Sequence, residues 1–215
     1  METMLTQPKF QKIIEIAKEH FKQTDTAHDF SHCQRVLKNA LEISKIEGGD
    51  IEVLTAAAFL HDICNFPKND PRRKLSSEYS TKKAAEIMQS LDFDQEKIDK
   101  TKDAILCHSF SRGLTPKTLE GTIFQDADRL DGIGAIGIAR AYATGAKFNA
   151  LLYAQDDPFF KTNRLPNDKN NVLDHFFVKL FKLQEMMLTK TGKEIAQKRT
   201  TFMKTFVKQL EEEIV

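Results

Sequence analysis

Ala56-Ala57-Ala58-Phe59-Leu60-His61-Asp62-Ile63 is the stretch from which the fold can be read. With Ile51 and Leu54 before it, this segment is apolar almost all round a helix. A helix of that kind belongs at the centre of a packed protein. Asp50 can cap it, and it runs directly into two ionisable side chains. An ionised carboxylate is costly to bury unless it is paired or coordinates a metal. Alone, His61-Asp62 also fits an ordinary helix-end cap, so the surrounding sequence must decide.

Working outward, helix follows helix. Phe10, Ile13, Ile14, Ala17 and Phe21 keep helical spacing in the first segment. The second is expected over about 31–47, with Val36, Leu37, Ala40, Leu41 and Ile43 on one face and Gly48-Gly49 as its stop. After the central helix comes a polar loop from Asn65 to Lys74. Ser76 or Ser77 is then expected to cap a helix to about Leu91. Asp94 starts another, ending near His108, and Phe110 to Leu119 reads as a turn-rich loop. One helix is expected from about Leu119 through Asp128 to Ala143. Asp156 to Asn171 is a further loop, followed by helices over about 172–188 and 192–213. No convincing strand, repeat or linker appears. The expectation is an all-α bundle forming a single domain over 1–215, its core at about 25–145 with helices 172–213 packed on it.

Composition bounds the function without naming it. The 215 residues carry 32 Lys+Arg against 31 Asp+Glu, a net charge of +1, which argues against a globally basic nucleic-acid binder. At 40% hydrophobic and 29% charged, the chain is too apolar for disorder. No stretch approaches the ~20 apolar residues of a membrane span, and the N-terminus has no signal-peptide pattern. Cys33, Cys64 and Cys107 form no Cys-x-x-Cys pair, so a reducing cytoplasm is expected.

His32 opens its helix as His32-Cys33-Gln34-Arg35-Val36, and Asp128 sits in Asp126-Ala127-Asp128-Arg129-Leu130-Asp131. With His61-Asp62, these put two imidazoles and two carboxylates on separate helices, from which they can converge on one divalent cation. Here the sequence resembles the HD-domain metal-dependent phosphohydrolases. The likeness is carried by His32-x-x-Arg35-Val36, Leu60-His61-Asp62-Ile63 and Ala127-Asp128-Arg129-Leu130, in that order. Phe66-Pro67-Lys68-Asn69, the Arg72–Ser77 run, His108-Ser109-Phe110-Ser111-Arg112-Gly113 and the run from Asp126 to Arg140 are similar to a bacterial subgroup of small HD hydrolases. The C-terminal Lys179-Leu180, Met186-Met187 and Lys193 to Met203 patterns are similar too, so the match spans nearly the whole chain.

The resemblance implies an HD-domain helical bundle with one metal site in its core. The implied ligands are His32, His61, Asp62 and Asp128. Helix geometry agrees on Asp128 over Asp126, because residues two apart point to roughly opposite sides; Asp126 is then left to orient a ligand from behind. His28, one turn before His32, is either a ligand or a substrate-facing residue. The donor set leaves Mn²⁺, Mg²⁺, Co²⁺, Ni²⁺, Fe²⁺ and Zn²⁺ open. Asp62 is expected both to ligate and to orient the attacking water. The implied activity is hydrolysis of nucleoside or deoxynucleoside triphosphates. Phosphodiesterase, nucleoside monophosphate phosphatase and a non-catalytic nucleotide-binding module are the alternatives. The expected partner is therefore a phosphorylated small molecule, with no nucleic acid and no membrane; a homo-oligomer is compatible.

Phosphate also needs cations. Arg35, Lys68, Arg72, Arg73 and Arg112 are the candidates, since guanidinium forks and ammonium charges suit a phosphate chain. A solvated surface loop explains Lys68–Lys74 equally well. His108 fits a third imidazole on the phosphate, a general acid to the leaving group, or a helix C-cap. Gly132-x-Gly134-x-x-Gly137 matches a dinucleotide fingerprint literally, but no strand precedes it, so close helix packing is the better reading. The cysteines and the Phe176, Phe177, Phe181, Phe202 and Phe206 stripe read as core filling. The 156–171 loop is a candidate lid.

Overall fold

The computed structural model describes residues 2–21, 29–66 and 70–214, which form two compact units, Met1–Asp128 and Arg129–Val215. All of the regular structure among them is helical, apart from one isolated bridge between Leu151 and Asn171. No described helix is long and apolar enough to cross a membrane.

The first unit contains α1 (Glu2–Leu5), α2 (Pro8–Phe21), α3 (Phe30–Glu47), α4 (Ile51–Leu60), α5 (Ser76–Ser90), α6 (Gln95–His108) and most of α7 (Leu119–Asp131). As its composition requires, α4 is central: Val53 through Leu60 are all buried, and α2, α3, α5 and α6 pack around it. Asp50 starts it by accepting from the Glu52 amide at 2.8 Å. Asp29 does the same for α3, accepting from the His32 amide at 2.9 Å. Such caps satisfy N–H groups that the first helical turn leaves without partners.

The start of α5 departs from expectation. Neither Ser76 nor Ser77 caps it, because a 3₁₀ helix over Pro71–Leu75 runs straight into it and the Ser76 amide bonds the Arg73 carbonyl. Ser76 Oγ is thereby left to accept from the Phe66 amide at 3.4 Å.

The second unit takes the end of α7, then α8 (Gly134–Lys147), α9 (Val172–Val178), a 3₁₀ helix (Leu180–Met186) and α10 (Lys190–Ile214). Two helices expected to be continuous are broken here. The Leu119–Ala143 helix stops at Asp131 and restarts at Gly134, whose φ of +78° is a left-handed conformation that glycine adopts freely. A Cβ on Gly137 would lie 2.3 Å from the Gly132 carbonyl oxygen. The glycine triplet therefore builds a corner between helices, the packing role favoured over dinucleotide binding. Gly137→Ala is expected to cost about 1–3 kcal/mol, the usual range for forced overpacking. Urea denaturation measures it; wild-type stability would disprove the corner.

The Val172–Leu188 helix likewise ends early. Its C-terminal half tightens to 3₁₀, burying Leu180 and Leu183, which lie one 3₁₀ turn apart, while Arg129 donates to the Met186 carbonyl at 2.5 Å. Thr189 Oγ1 accepts from the Gly192 amide at 2.9 Å at the head of α10.

Candidate metal centre

Three helix ends and one helix side bring the chemistry together. His32 lies in the first turn of α3, where the Asp29 cap fixes the backbone. His61 caps the C-terminus of α4 and His108 is the last residue of α6. In both, Nδ1 faces the carbonyl three residues back, Ala58 at 3.0 Å and Ile105 at 2.6 Å. Donation from Nδ1 to that carbonyl leaves Nε2 to face the site, the arrangement that orients metal-binding imidazoles. Asp128 projects from α7, which the Asn39 amide grips at the neighbouring Ala127 carbonyl at 3.0 Å.

His32 Nε2 and His61 Nε2 stand 3.1 Å apart. Asp128 Oδ1 is 3.5 Å from the first and 4.0 Å from the second. Asp62 Oδ2 lies 3.7 Å from His61 Nε2, and Asp62 Oδ1 lies 3.7 Å from His108 Nε2. The structure thus forms two overlapping donor groups, His32–His61–Asp128 and His61–Asp62–His108, each with its atoms within 4.8 Å of one another. The donors fit a divalent cation. Two nitrogens at about 2.1 Å from a common ion, at right angles, would be about 3.0 Å apart, close to the separation of the His32 and His61 nitrogens. The imidazoles are nearly inaccessible, at 3% and 1% exposure, whereas Asp62 and Asp128 retain 16% and 22%. Nitrogen donors form the floor and carboxylates the rim.

Protonation follows from this crowding. At His61 burial outweighs the pull of Asp62 and, with the neighbouring imidazoles, lowers the pKa to about 4. Its Nε2 is therefore unprotonated at neutral pH. Burial also opposes charge on His108, but the facing Asp62 carboxylate and the charge of Asp128 outweigh it and raise the pKa to about 9. Burial alone would raise Asp62; the imidazoles of His61, His108 and His32 instead hold it well below the ordinary carboxylate range.

A family model for the HD domain matches residues 29–133, the span that holds all five of these side chains. YpgQ of Bacillus subtilis is 36% identical over 197 residues, covering 88% of this chain and 85% of that protein. This chain belongs to the HD-domain family. The crystal structure of an HD-superfamily hydrolase from Bacillus thuringiensis matches with a TM-score of 0.73 at 30% identity, covering 94% of this chain and 95% of that one. The structure of B. subtilis YpgQ in complex with ADP matches at 0.72 and 30% identity, over 96% and 95%. Membership makes this an HD-type, metal-dependent phosphohydrolase.

Around this HD centre, the expected cations behave differently from the expected ligands. Arg35 Nη1 donates to Ser31 Oγ at 2.7 Å. Arg72 is exposed, bonded to Asp70 at 2.7 Å and stacked 4.4 Å above the Phe66 ring. Arg73 donates to the Phe66 carbonyl at 3.3 Å, and Arg112 to Glu78 at 2.5 Å. Lys68 and His28 lie outside the described residues. Asp126 is fully buried, and Asp131, which shares the face of Asp128 by spacing, pairs with Arg140 at 2.6 Å. All three cysteines are unpaired. Burial raises each thiol, Cys107 to about 11, which suits packing rather than nucleophilic chemistry.

Sequence reasoning overlooked His20 and Glu78. His20, in the last turn of α2, is close enough to feel the Asp62 charge, although burial lowers its pKa on balance. Its one available signal was a polar position beside the Phe10–Ile13–Ala17–Phe21 stripe. Glu78 carried no signal, because its partner lies 34 residues away.

Proposed function

We propose that this HD-domain enzyme hydrolyses nucleotides, with nucleoside or deoxynucleoside triphosphates as first-choice substrates and pyrophosphate or phosphate released. The observation that carries the reading is the convergence of the His32 and His61 Nε2 atoms, 3.1 Å apart, with Asp128 and Asp62 on the rim. The nucleotide part is supported by the relative YpgQ, whose structure was determined in complex with ADP.

His32, His61, Asp62 and Asp128 would hold one divalent ion, of the Mn, Mg, Co, Ni, Fe or Zn class. When bound, such an ion polarises a phosphoryl oxygen and acidifies water. The chain's own residues do the rest. Neutral His61 offers its lone pair without first losing a proton. Asp62, ionised, orients the attacking water through the carboxylate edge not facing His61. His108, whose Nε2 faces Asp62 Oδ1 at 3.7 Å, is assigned as general acid to the leaving oxygen, its proton regained from solvent. Arg35, Lys68, Arg72, Arg73 and Arg112 are assigned to the phosphate chain. For the arginines that requires exchanging a protein partner for phosphate, at the cost of the bond given up. A cytoplasmic site of action agrees with three unpaired thiols.

The test is a panel of nucleoside tri-, di- and monophosphates and a phosphodiester, each with Mn²⁺, Mg²⁺, Co²⁺ or Ni²⁺. Phosphate and pyrophosphate are assayed separately, with EDTA as control. Metal-dependent release from triphosphates is expected. Release only from monophosphates or the diester would favour the phosphatase or phosphodiesterase alternatives. Silence throughout, with ADP bound, would leave a nucleotide-binding module.

A further inference from the structure

The segments that follow Asp62 and His108 are joined, among the described residues, by an ion pair between Glu78 at the start of α5 and Arg112. The first turns of α5 are fastened beside Asp62: the Cys64 amide donates to Ser80 Oγ at 3.1 Å, and Ser80 Oγ donates to the Cys64 carbonyl at 3.3 Å. The second loop leaves His108 through the 3₁₀ turn Phe110–Arg112 and the left-handed Gly113. Gln125 clamps both its ends, donating to the carbonyls of Cys107 and Leu114. Across the gap, Arg112 Nη1 donates to Glu78 Oε1 at 2.5 Å, with the side chains 22% and 39% exposed. Arg112 Nε is buried and has no hydrogen-bond partner among the described residues.

A desolvated guanidinium N–H without an acceptor costs about 1–3 kcal/mol or more. A long, rotamer-rich side chain escapes such a cost by swinging into water unless something holds it. Here Glu78 is the holder. We propose that Glu78 is a positioning residue for ligand binding: it pins Arg112, in the turn that follows His108, so that the buried Nε–H is ready for a phosphoryl oxygen. This rests on the nucleotide reading above and names the device that prepares its anion contact. Preorganisation of this kind acts by removing the ordering cost from the binding step. Glu78 does not touch the reacting atoms, so its loss should fall on KM.

The experiment compares Glu78→Ala, Glu78→Gln, Arg112→Ala and the Glu78→Ala/Arg112→Ala double variant, all metal-loaded. For the best triphosphate, Glu78→Ala is expected to raise KM about tenfold, as for a lost bond to a charged group. Turnover should stay within about twofold, because the effect is on binding rather than the transition state alone. Glu78→Gln keeps an acceptor for Nη1 and should recover part of the loss. In the Arg112→Ala background, Glu78→Ala should add nothing, since the interaction it serves is already gone. Unchanged KM in Glu78→Ala, or additive losses in the double variant, overturns the proposal. Thermal melts accompany each variant, and if Glu78→Ala does not fold, Glu78→Gln carries the comparison. ADP binding by titration calorimetry separates the two layers. If the unaltered protein binds ADP without turning over any phosphate, the catalytic reading fails. An about tenfold weaker ADP affinity in Glu78→Ala would still support the clamp, and an equal affinity would refute it. An unaltered protein that neither turns over nor binds ADP overturns both.

Discussion

His61→Ala and Asp128→Asn proteins are expected to remain folded and to lose metal and turnover together. Removing a partner that merely supports a ligand costs roughly 10–100-fold in metal affinity or activity, so loss of a ligand should exceed ~100-fold in both. The two substitutions differ in stability. His61 is 1% exposed and packs 5.5 Å from Phe124 and 5.0 Å from His108, so truncation opens a cavity. By comparison with other buried truncations this should cost roughly 2–4 kcal/mol. Asp128 is 22% exposed at the rim, and an amide of the same shape should cost less than ~1 kcal/mol. Metal content after dialysis, circular dichroism melts and phosphate release read the three quantities independently. Retained activity in both variants would sink the assignment. An Asp128→Asn protein that kept its metal but lost turnover would move Asp128 from ligand to another catalytic role.

The central helix was legible because composition alone forced it. Eight consecutive residues, Val53–Leu60, are buried, and only a core position tolerates a helix apolar on every side. Asp128 was separable from Asp126 for an equally local reason: residues two apart on a helix diverge, and Asp128 is the one that meets His32 and His61. Asp50 was readable as a cap because a short polar side chain before an apolar run has few other uses.

What escaped the sequence was non-local or depended on backbone angle. Helical periodicity runs unbroken from Leu119 to Ala143, so nothing in the pattern reveals the corner at Gly132–Gly134. It is a φ of +78° at Gly134 and the closeness of Gly137 to the Gly132 carbonyl that make the break. The start of α5 failed similarly, since Ser76 resembles a cap until the 3₁₀ helix before it satisfies its amide. The arginines were legible as charges but not as partners. Asp70, two positions before Arg72, binds it locally, whereas Glu78 reaches Arg112 only after α5 and α6 have packed together. Proximity of a basic run to a ligand motif is a weak guide for that reason: nearby acids compete for the same guanidinium groups.

The largest stability effect is expected in the second unit, at Asp174. This carboxylate has no exposed surface and lies in the first turn of α9, where the helix dipole favours negative charge. Arg164 meets it as a fork, Nη1 to Oδ2 at 2.7 Å and Nη2 to Oδ1 at 2.6 Å, and the Asn167 amide adds a third bond at 2.7 Å. Arg164 is itself stacked 4.2 Å from the Phe160 ring and donates to the Asp157 carbonyl. Asp157 in turn accepts from the Lys161 and Thr162 amides, so the candidate-lid segment is braced along much of its length by three charged residues. Removing one partner of a buried ion pair leaves the other charge desolvated, at about 3–5 kcal/mol. Asp174→Asn should therefore lower the melting temperature by roughly 10 °C for a chain of this size. An Arg164→Met/Asp174→Leu double variant should lose less than the two single changes summed, because no charge is stranded. The pH dependence has a definite sign. Burial would raise Asp174, but Arg164 and the Asn167 amide outweigh it and lower its pKa in the folded state. The unfolded state then binds its proton first as pH falls from neutrality. The contribution of Asp174 is complete above the unfolded carboxylate value of about 3.9 and is lost as pH drops through the lower folded value. Asp157 is lowered in the same direction by its Thr162 bonds and adds to that slope. Urea midpoints measured between neutral and acid pH should thus fall less steeply in Asp174→Asn than in the unaltered protein, from a lower start. Parallel curves would mean that the buried fork does not set acid stability.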